Sequence, residues 1–295
     1  MKRTSERDGQ GRLHLSVHRN PVSGEEALTL NGPVFKETWQ NDLAVAAAST
    51  AHGILRGEPT LEGTVALARN AMAATSRLSD SLLARAPEGA VACQAGCDHC
   101  CYQAVGVTAP EALAIFEHLK ATRSPGGLAA VAAKVSAHHD KTRGLSSHER
   151  FSPDHPCPFL EAGNCSIYEA RPLSCRGMNS LDSGECAARL RDPEARAAFL
   201  ASGRGGHSYL EPIRAFHAIS AGLQLGLSEL YGLDMRPLEL TAAMQLLLAG
   251  SESGPRDWIG GQKPFESAVR AEATRDPGLQ DLSGAIDHGS AARGQ

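Results

Sequence analysis

The chain has 295 residues, of which 42% are hydrophobic, 21% charged and 4% aromatic, with 30 glycines and 16 prolines. That length allows one large or two small domains with a real core, and no apolar run approaches the roughly 18–20 residues of a membrane span. Basic residues number 29 against 33 acidic ones, a net charge of −4. The clustered Lys and Arg that phosphate backbones select are missing, so no nucleic-acid partner is expected.

Residues 1–35 are rich in Gly, Ser, Arg, Asn and Pro without sustained period, which predicts a poorly ordered N-terminal arm. The opening MKRTSERDGQ lacks an apolar core, so no export signal and a cytoplasmic location are expected. Helical patterning starts near Trp39–Leu55 and becomes regular at Leu61, Val65, Ala68, Met72, Leu78 and Leu82, with Thr75 interrupting the stripe. Thr108, Pro110 and Glu111 form a helix-start signal ahead of Ala112, Ile115, Phe116 and Leu119. A second Ala-rich helix is expected over about 127–142, stopping near Gly144, with His138 and His139 solvated on it.

Residues 144–190, with Pro153, Pro156, Pro158 and Pro172, read as loop. Helix returns at Asp192-Pro193-Glu194, ending near Gly203. A long amphipathic helix runs through Pro212, Ile213, Phe216, Ile219, Leu223, Leu227 and Leu230 to Gly232, and another opens at Pro237. A weaker helical segment spans Pro264 to Thr274, and 276–295 read as a disordered tail. No strand alternates over five or more residues. The expectation is a mainly α fold: a helical bundle-like domain over 36–275 with a cysteine-rich metal-binding loop region at 90–190.

Eight cysteines without an export signal are more often metal ligands or redox groups than structural disulfides. Cys93, Cys97, Cys100 and Cys101 form one group; Cys157, Cys165, Cys175 and Cys186 form a second along the Pro-rich loop. Short spacings let one loop wrap a metal with little added ordering entropy, and Gly96 supplies the freedom a tight ligand loop needs. Metal binding would stabilise a second loop too polar to bury itself. Adjacent side chains diverge, so Cys100 and Cys101 are not expected to bind one ion side by side. Either one ligates and the other packs, or each faces a different metal or cluster corner. Eight thiols exceed the four one zinc needs, which leaves two sites, or one site with bystanders, and favours a polynuclear iron–sulfur site (4Fe–4S) over Zn2+. All eight stand as candidate ligands.

Four thiolates around zinc or an oxidised 4Fe–4S cluster carry about −2 overall, and Arg171 and Arg176 flank Cys175 as candidates to offset it through N–H···S contacts. His99 is expected to face solvent. Tyr168 and Glu169 are read as anchoring the loop through ring packing and through capping or a pair with Arg171.

The ordered string Cys97-Asp-His-Cys100-Cys101, then Val107, Thr108 and Glu111 at a helix start, Cys157-Pro-Phe-Leu160, Cys165-Ser-Ile-Tyr-Glu-Ala-Arg-Pro172 and Cys175-Arg176 resembles the YkgJ-type cysteine-cluster proteins, a family described as a zinc- or iron-chelating domain. The resemblance covers about residues 90–190. It implies metal binding through Cys93, Cys97, Cys100, Cys101, Cys157, Cys165 and Cys175, with Cys186 at the edge of the pattern. It also brings in a relative with chemistry: flagellin lysine N-methyltransferase carries a similar motif with an iron–sulfur cluster.

Three readings follow. The first is a protein whose cysteines hold an iron–sulfur cluster or zinc. The second is an enzyme that uses the cluster, for instance in methyl transfer to a protein lysine. Cys93-x3-Cys97-x2-Cys100 matches the radical S-adenosylmethionine spacing, but His99 stands where those enzymes place an aromatic, and the flanks lack βα alternation. The third is a zinc-stabilised helical scaffold for a protein partner. No G-x-S-x-G, Walker loop or H-E-x-x-H is present to name another reaction.

Overall fold

The computed structural model describes residues 15–21, 23–30, 35–202, 207–250 and 253–270. In chain order these form β1 (Leu15–Arg19), β2 (Glu26–Leu30), α1 (Thr38–Leu55), α2 (Leu61–Leu83), a 3-10 turn at His99–Tyr102, β3 (Gly106–Val107), α3 (Ala109–Thr122), α4 (Pro125–Thr142) and α5 (Ser147–Arg150). There follow β4 (Leu160–Glu161), β5 (Asn164–Cys165), α6 (Leu173–Gly177), α7 (Ser183–Arg191), α8 (Pro193–Ser202), α9 (Leu210–Tyr231), β6 (Leu238–Glu239), α10 (Leu240–Leu248) and α11 (Ser253–Ile259). The fold is mainly α, as its periodicity implies. Among the described residues no helix is long and apolar enough to cross a membrane.

The most extensive packing between two helices is that of α1 with α9. Ala44, Ala48 and Ala51 of α1 are fully covered, and so are Ala218 and Ala221 of α9. Small residues let the two backbones approach closely: a Cβ added at Gly222 would stand 2.1 Å from the Ala44 carbonyl oxygen. Helix α9 stops at Gly232, whose φ of +68° continues no helix and whose N–H returns to the Ser228 carbonyl. Helix α2 starts where the Thr60 side chain accepts the N–H of Gly63 at 3.0 Å. It presents Val65, Ala68 and Met72 to the core, and Thr75, the gap in its stripe, is buried as well. The short helix α6 wedges between α2 and α9, while α10 closes the far side against α3 and α4.

Several segments depart from the periodicity reading. Within 1–35, β1 and β2 form an antiparallel hairpin with Leu15 opposite Leu30. Leu15 and Leu28 pack on Ala48 and Leu225, so a hairpin too short to persist alone is held by the α1–α9 face. Residues 144–190 contain α5, α6 and most of α7. Helix α10 begins at Leu240 because Leu238 pairs with Val107 and Glu239 with Gly106. The stretch after Pro264 makes only a 3-10 turn at Glu266–Ala268 before Val269 bridges to Leu238. Helix α11 places Trp258 in the core, its indole N–H donating to the Asp234 carbonyl at 2.8 Å. The tail at 276–295, the end near Thr274 and the expected stop at Gly203 lie outside the described residues.

Candidate metal centre

Two segments of the chain carry the cysteines, and backbone hydrogen bonds stitch them together. In the first, Gly96 at φ +84° turns the chain so that Cys97 N–H reaches the Gln94 carbonyl, and the 3-10 turn returns Cys101 N–H to Asp98. The Cys101 carbonyl then accepts the N–H of Cys157 at 2.7 Å, and Ala92 N–H donates to the Ser180 carbonyl at 2.8 Å. In the second loop β4 and β5 pair through a two-residue turn, Ala162 and Gly163, both with positive φ. That hairpin sets Cys165, and a Cβ on Gly163 would lie 3.7 Å from the Gly96 carbonyl oxygen.

The result is a cleft of about 1240 Å³ whose wall includes Cys93, Cys97, Cys100, Cys101, Cys157, Cys165 and Cys175. All are free thiols. Cys186, on α7, lies outside that wall, although it is near enough to Cys93 for its charge to be felt there. Among the described residues no three His, Cys, Asp or Glu side chains converge as a ready single-ion group. The thiols surround a space instead of meeting at a point.

Every resolved shift in these thiols is upward. Burial pushes Cys157 and Cys175 up to about 12, and raises Cys93 and Cys165. Cys100 is held well above the ordinary thiol range, first by a hydrogen bond with the Cys101 thiol and then by desolvation of its sulfur, although the residue as a whole is exposed. The tight turn brings both thiols to one cleft wall, an arrangement compatible with two corners of one polynuclear centre. Mutual charge links Cys93 with Cys97 and Cys100, and Cys175 with Cys100 and Cys165, so Cys100 is common to both groups. Proteins hold thiols in this density for soft or borderline cations, which supply the positive charge that makes the thiolate the favoured form. The sulfur donor set therefore fits zinc or iron.

The two arginines divide their work. Arg176 is nine-tenths buried. Its Nε donates to the Arg171 carbonyl at 2.8 Å, one terminal nitrogen to the Glu169 carbonyl at 2.6 Å, and the other to Ser76 Oγ on α2. It ties the Cys175 turn to α2, and its donors go to oxygen rather than to sulfur. Arg171 lies in the cleft wall, its guanidinium 4.3 Å from the centre of the Tyr168 ring. Its charge favours the thiolate forms of Cys100, Cys165 and Cys175. Tyr168 is exposed, so it carries the arginine rather than filling the core. Contacts to sulfur come from elsewhere, among them Ser180 N–H to Cys93 at 3.2 Å and Arg189 to Cys186 at 3.7 Å. An arginine three residues after a cysteine on one helix was the available signal for the second.

Glu111 is the buried anchor of the site. Its carboxylate accepts the N–H and hydroxyl of Thr108 and the N–H of Leu173, each at 2.8 Å. One side chain thus fixes the starts of α3 and α6, and α6 carries Cys175. Burial pushes its carboxyl above the usual range. His99 is half-buried, with Nδ1 3.7 Å from Asp98, rather than facing solvent. His138 is buried on α4, not solvated.

Residues 92–192 match the family model CxxCxxCC, described as "Putative zinc- or iron-chelating domain". No curated protein and no solved structure matches the chain. The match spans both cysteine-bearing segments and α3 to α7, and leaves α1, α2 and α8 to α11 outside it. Over residues 92–192 the chain is thus similar to the CxxCxxCC family, whose model describes a zinc- or iron-chelating domain.

Proposed function

We propose that the seven cleft thiols hold an iron–sulfur centre, with Arg171 offsetting part of its negative charge and Arg176 and Glu111 fixing the loop that presents Cys175. The observation that carries this reading is the gathering of seven sulfurs from two separate segments of the chain around one cleft. Four thiolates saturate a tetrahedral zinc. Seven around an open space suit a polynuclear centre whose irons are bridged by sulfide and bound by protein thiolates at its corners. Cys100, electrically common to both groups of thiols, is the ligand on which the reading depends most. Zinc is the second reading, favoured by the all-sulfur donor set, which equally suits a structural site of four cysteines.

The test is the double variant Cys100→Ser, Cys175→Ser. It is expected to lose its bound metal on isolation while far-ultraviolet circular dichroism shows the helices retained. Full metal retention in that variant contradicts the assignment of both thiols.

A further inference from the structure

The cleft is larger than its thiols require. Sites for small organic molecules occupy about 300–1,000 Å³, and this space reaches about 1240 Å³. Its additional wall is α9. From Ala215 to Ser228 every residue of that helix is buried except His217, Ser220, Gln224 and Ser228, and all four line the cleft. Spacings of three and four place them on one face. A helix otherwise enclosed in core thus turns a single polar stripe toward the space the cysteines share.

The stripe has unused hydrogen-bonding capacity and no net charge. Burial holds the His217 imidazole down to about 4, so it is neutral, with a donor and an acceptor nitrogen, and among the described residues no charge or hydrogen bond shifts it further. Gln224 donates to Ser220 Oγ at 3.0 Å, which leaves its carboxamide oxygen available. On α2, Ser79 lines the same cleft with a buried hydroxyl that has no hydrogen-bond partner among the described residues. Orphaned buried polar atoms carry a free-energy cost that a ligand can remove. Of the charged side chains in the same wall, Arg236 pairs with both Asp234 and Glu266, and Arg270 donates to Ser147 Oγ at 3.3 Å.

From this arrangement we infer that the α9 side of the cleft is a pocket for a small, uncharged organic molecule bearing an amide or a nitrogen heterocycle, bound by His217, Ser220 and Gln224 beside the thiols. A neutral imidazole and a carboxamide complement donor–acceptor edges of that kind, whereas an anion or cation would find no counter-charge along the stripe. The inference adds an occupant to the cleft and holds whichever metal the thiols carry.

The test uses the full chain as isolated, with metal content measured on the same sample. Nicotinamide and uracil serve as neutral probes, benzoate and inorganic phosphate as anionic ones, followed by saturation-transfer NMR on the probe and by titration. A neutral probe is expected to bind saturably, and Gln224→Leu is expected to weaken it at least about tenfold, with metal content and circular dichroism unchanged. Ser220→Ala is the second variant should Gln224→Leu not fold. Binding of the anionic probes only, no binding of either neutral probe, or equal affinity in the folded variants overturns the inference. Neutral-probe binding in a sample without metal supports it and contradicts the metal reading alone.

Discussion

Glu111 accepts the backbone N–H of Leu173 at 2.8 Å across 62 residues of sequence, joining the start of α3 to the start of the short helix that carries Cys175. The same carboxylate receives two bonds from Thr108. A glutamine has one carbonyl oxygen and faces one of these donors with an NH2 group. Glu111→Gln is therefore expected to cost about 1–3 kcal/mol, the range for leaving a buried donor unsatisfied, and to lower metal retention because Cys175 is no longer held. Urea unfolding and metal content of the same preparation check both. An unchanged midpoint contradicts the anchoring role.

Gly222 and Gly226 make different predictions on one helix. Glycine inside a helix is less stable than alanine by about 0.5–1 kcal/mol, so an open site would gain from the change. At Gly222 the added Cβ would meet the Ala44 carbonyl at 2.1 Å, and only separation of α1 from α9 relieves that contact. At Gly226 the nearest atom is Ala48 Cα at 3.2 Å. Gly222→Ala is expected to destabilise by about 1–3 kcal/mol or more, as overpacked cores do, and Gly226→Ala to lie near zero. Thermal unfolding of the pair distinguishes them, and equal melting temperatures contradict the close crossing.

His138 supplies a pH dependence. Burial, and then the positive charge of Arg150, hold its folded-state pKa down to about 4, against the ordinary 6.5. Between those values the unfolded chain binds a proton that the folded chain does not, so stability falls as pH drops from 6.5 toward 4. At pH 5 this single group accounts for about 2 kcal/mol at 1.36 kcal/mol per pKa unit. His138→Leu removes the proton-binding group, and its loss of stability between pH 7.5 and 5.0 is expected to be smaller by that amount at matched metal content. Parallel losses in variant and parent contradict the assignment.

The cleft separates the cysteines into two classes. Cys186 lies outside its wall and accepts from Arg189 on its own helix, whereas Cys165 is set in the wall by the β4–β5 hairpin. Cys186→Ser is expected to keep the metal content of the parent, and Cys165→Ser to lose most of it. Elemental analysis of the two variants reads the difference. Loss in Cys186→Ser would add that thiol to the ligand set.

How much of this was legible in sequence depended on the range of the forces involved. Helices α2 and α9, the Thr108–Glu111 start and the Gly232 stop follow from local rules that act within a turn or two. The β1–β2 hairpin did not, because its stability comes from packing on Ala48 and Leu225, far away in the chain. The β4–β5 turn uses Ala162 and Gly163 where Asn-Gly is the recognisable pair, so it left no signal. The cysteines declared themselves by number and spacing, but the partners of the arginines were not readable. Arg176 spends its donors on carbonyls and Ser76, a choice made by burial. The polar stripe of α9 was present at spacings of three and four, hidden by the stronger apolar stripes around it.

Whether the cleft thiols hold iron and sulfide together is tested most directly by isolation without oxygen or added zinc. Iron, zinc and acid-labile sulfide are then determined on one sample, together with its absorption spectrum. An iron–sulfur centre predicts iron and sulfide in equal amounts, with broad absorption near ~400 nm from thiolate-to-iron charge transfer in a Cys-ligated cluster. Colourless protein carrying zinc and no sulfide would contradict it and leave a structural zinc site in its place.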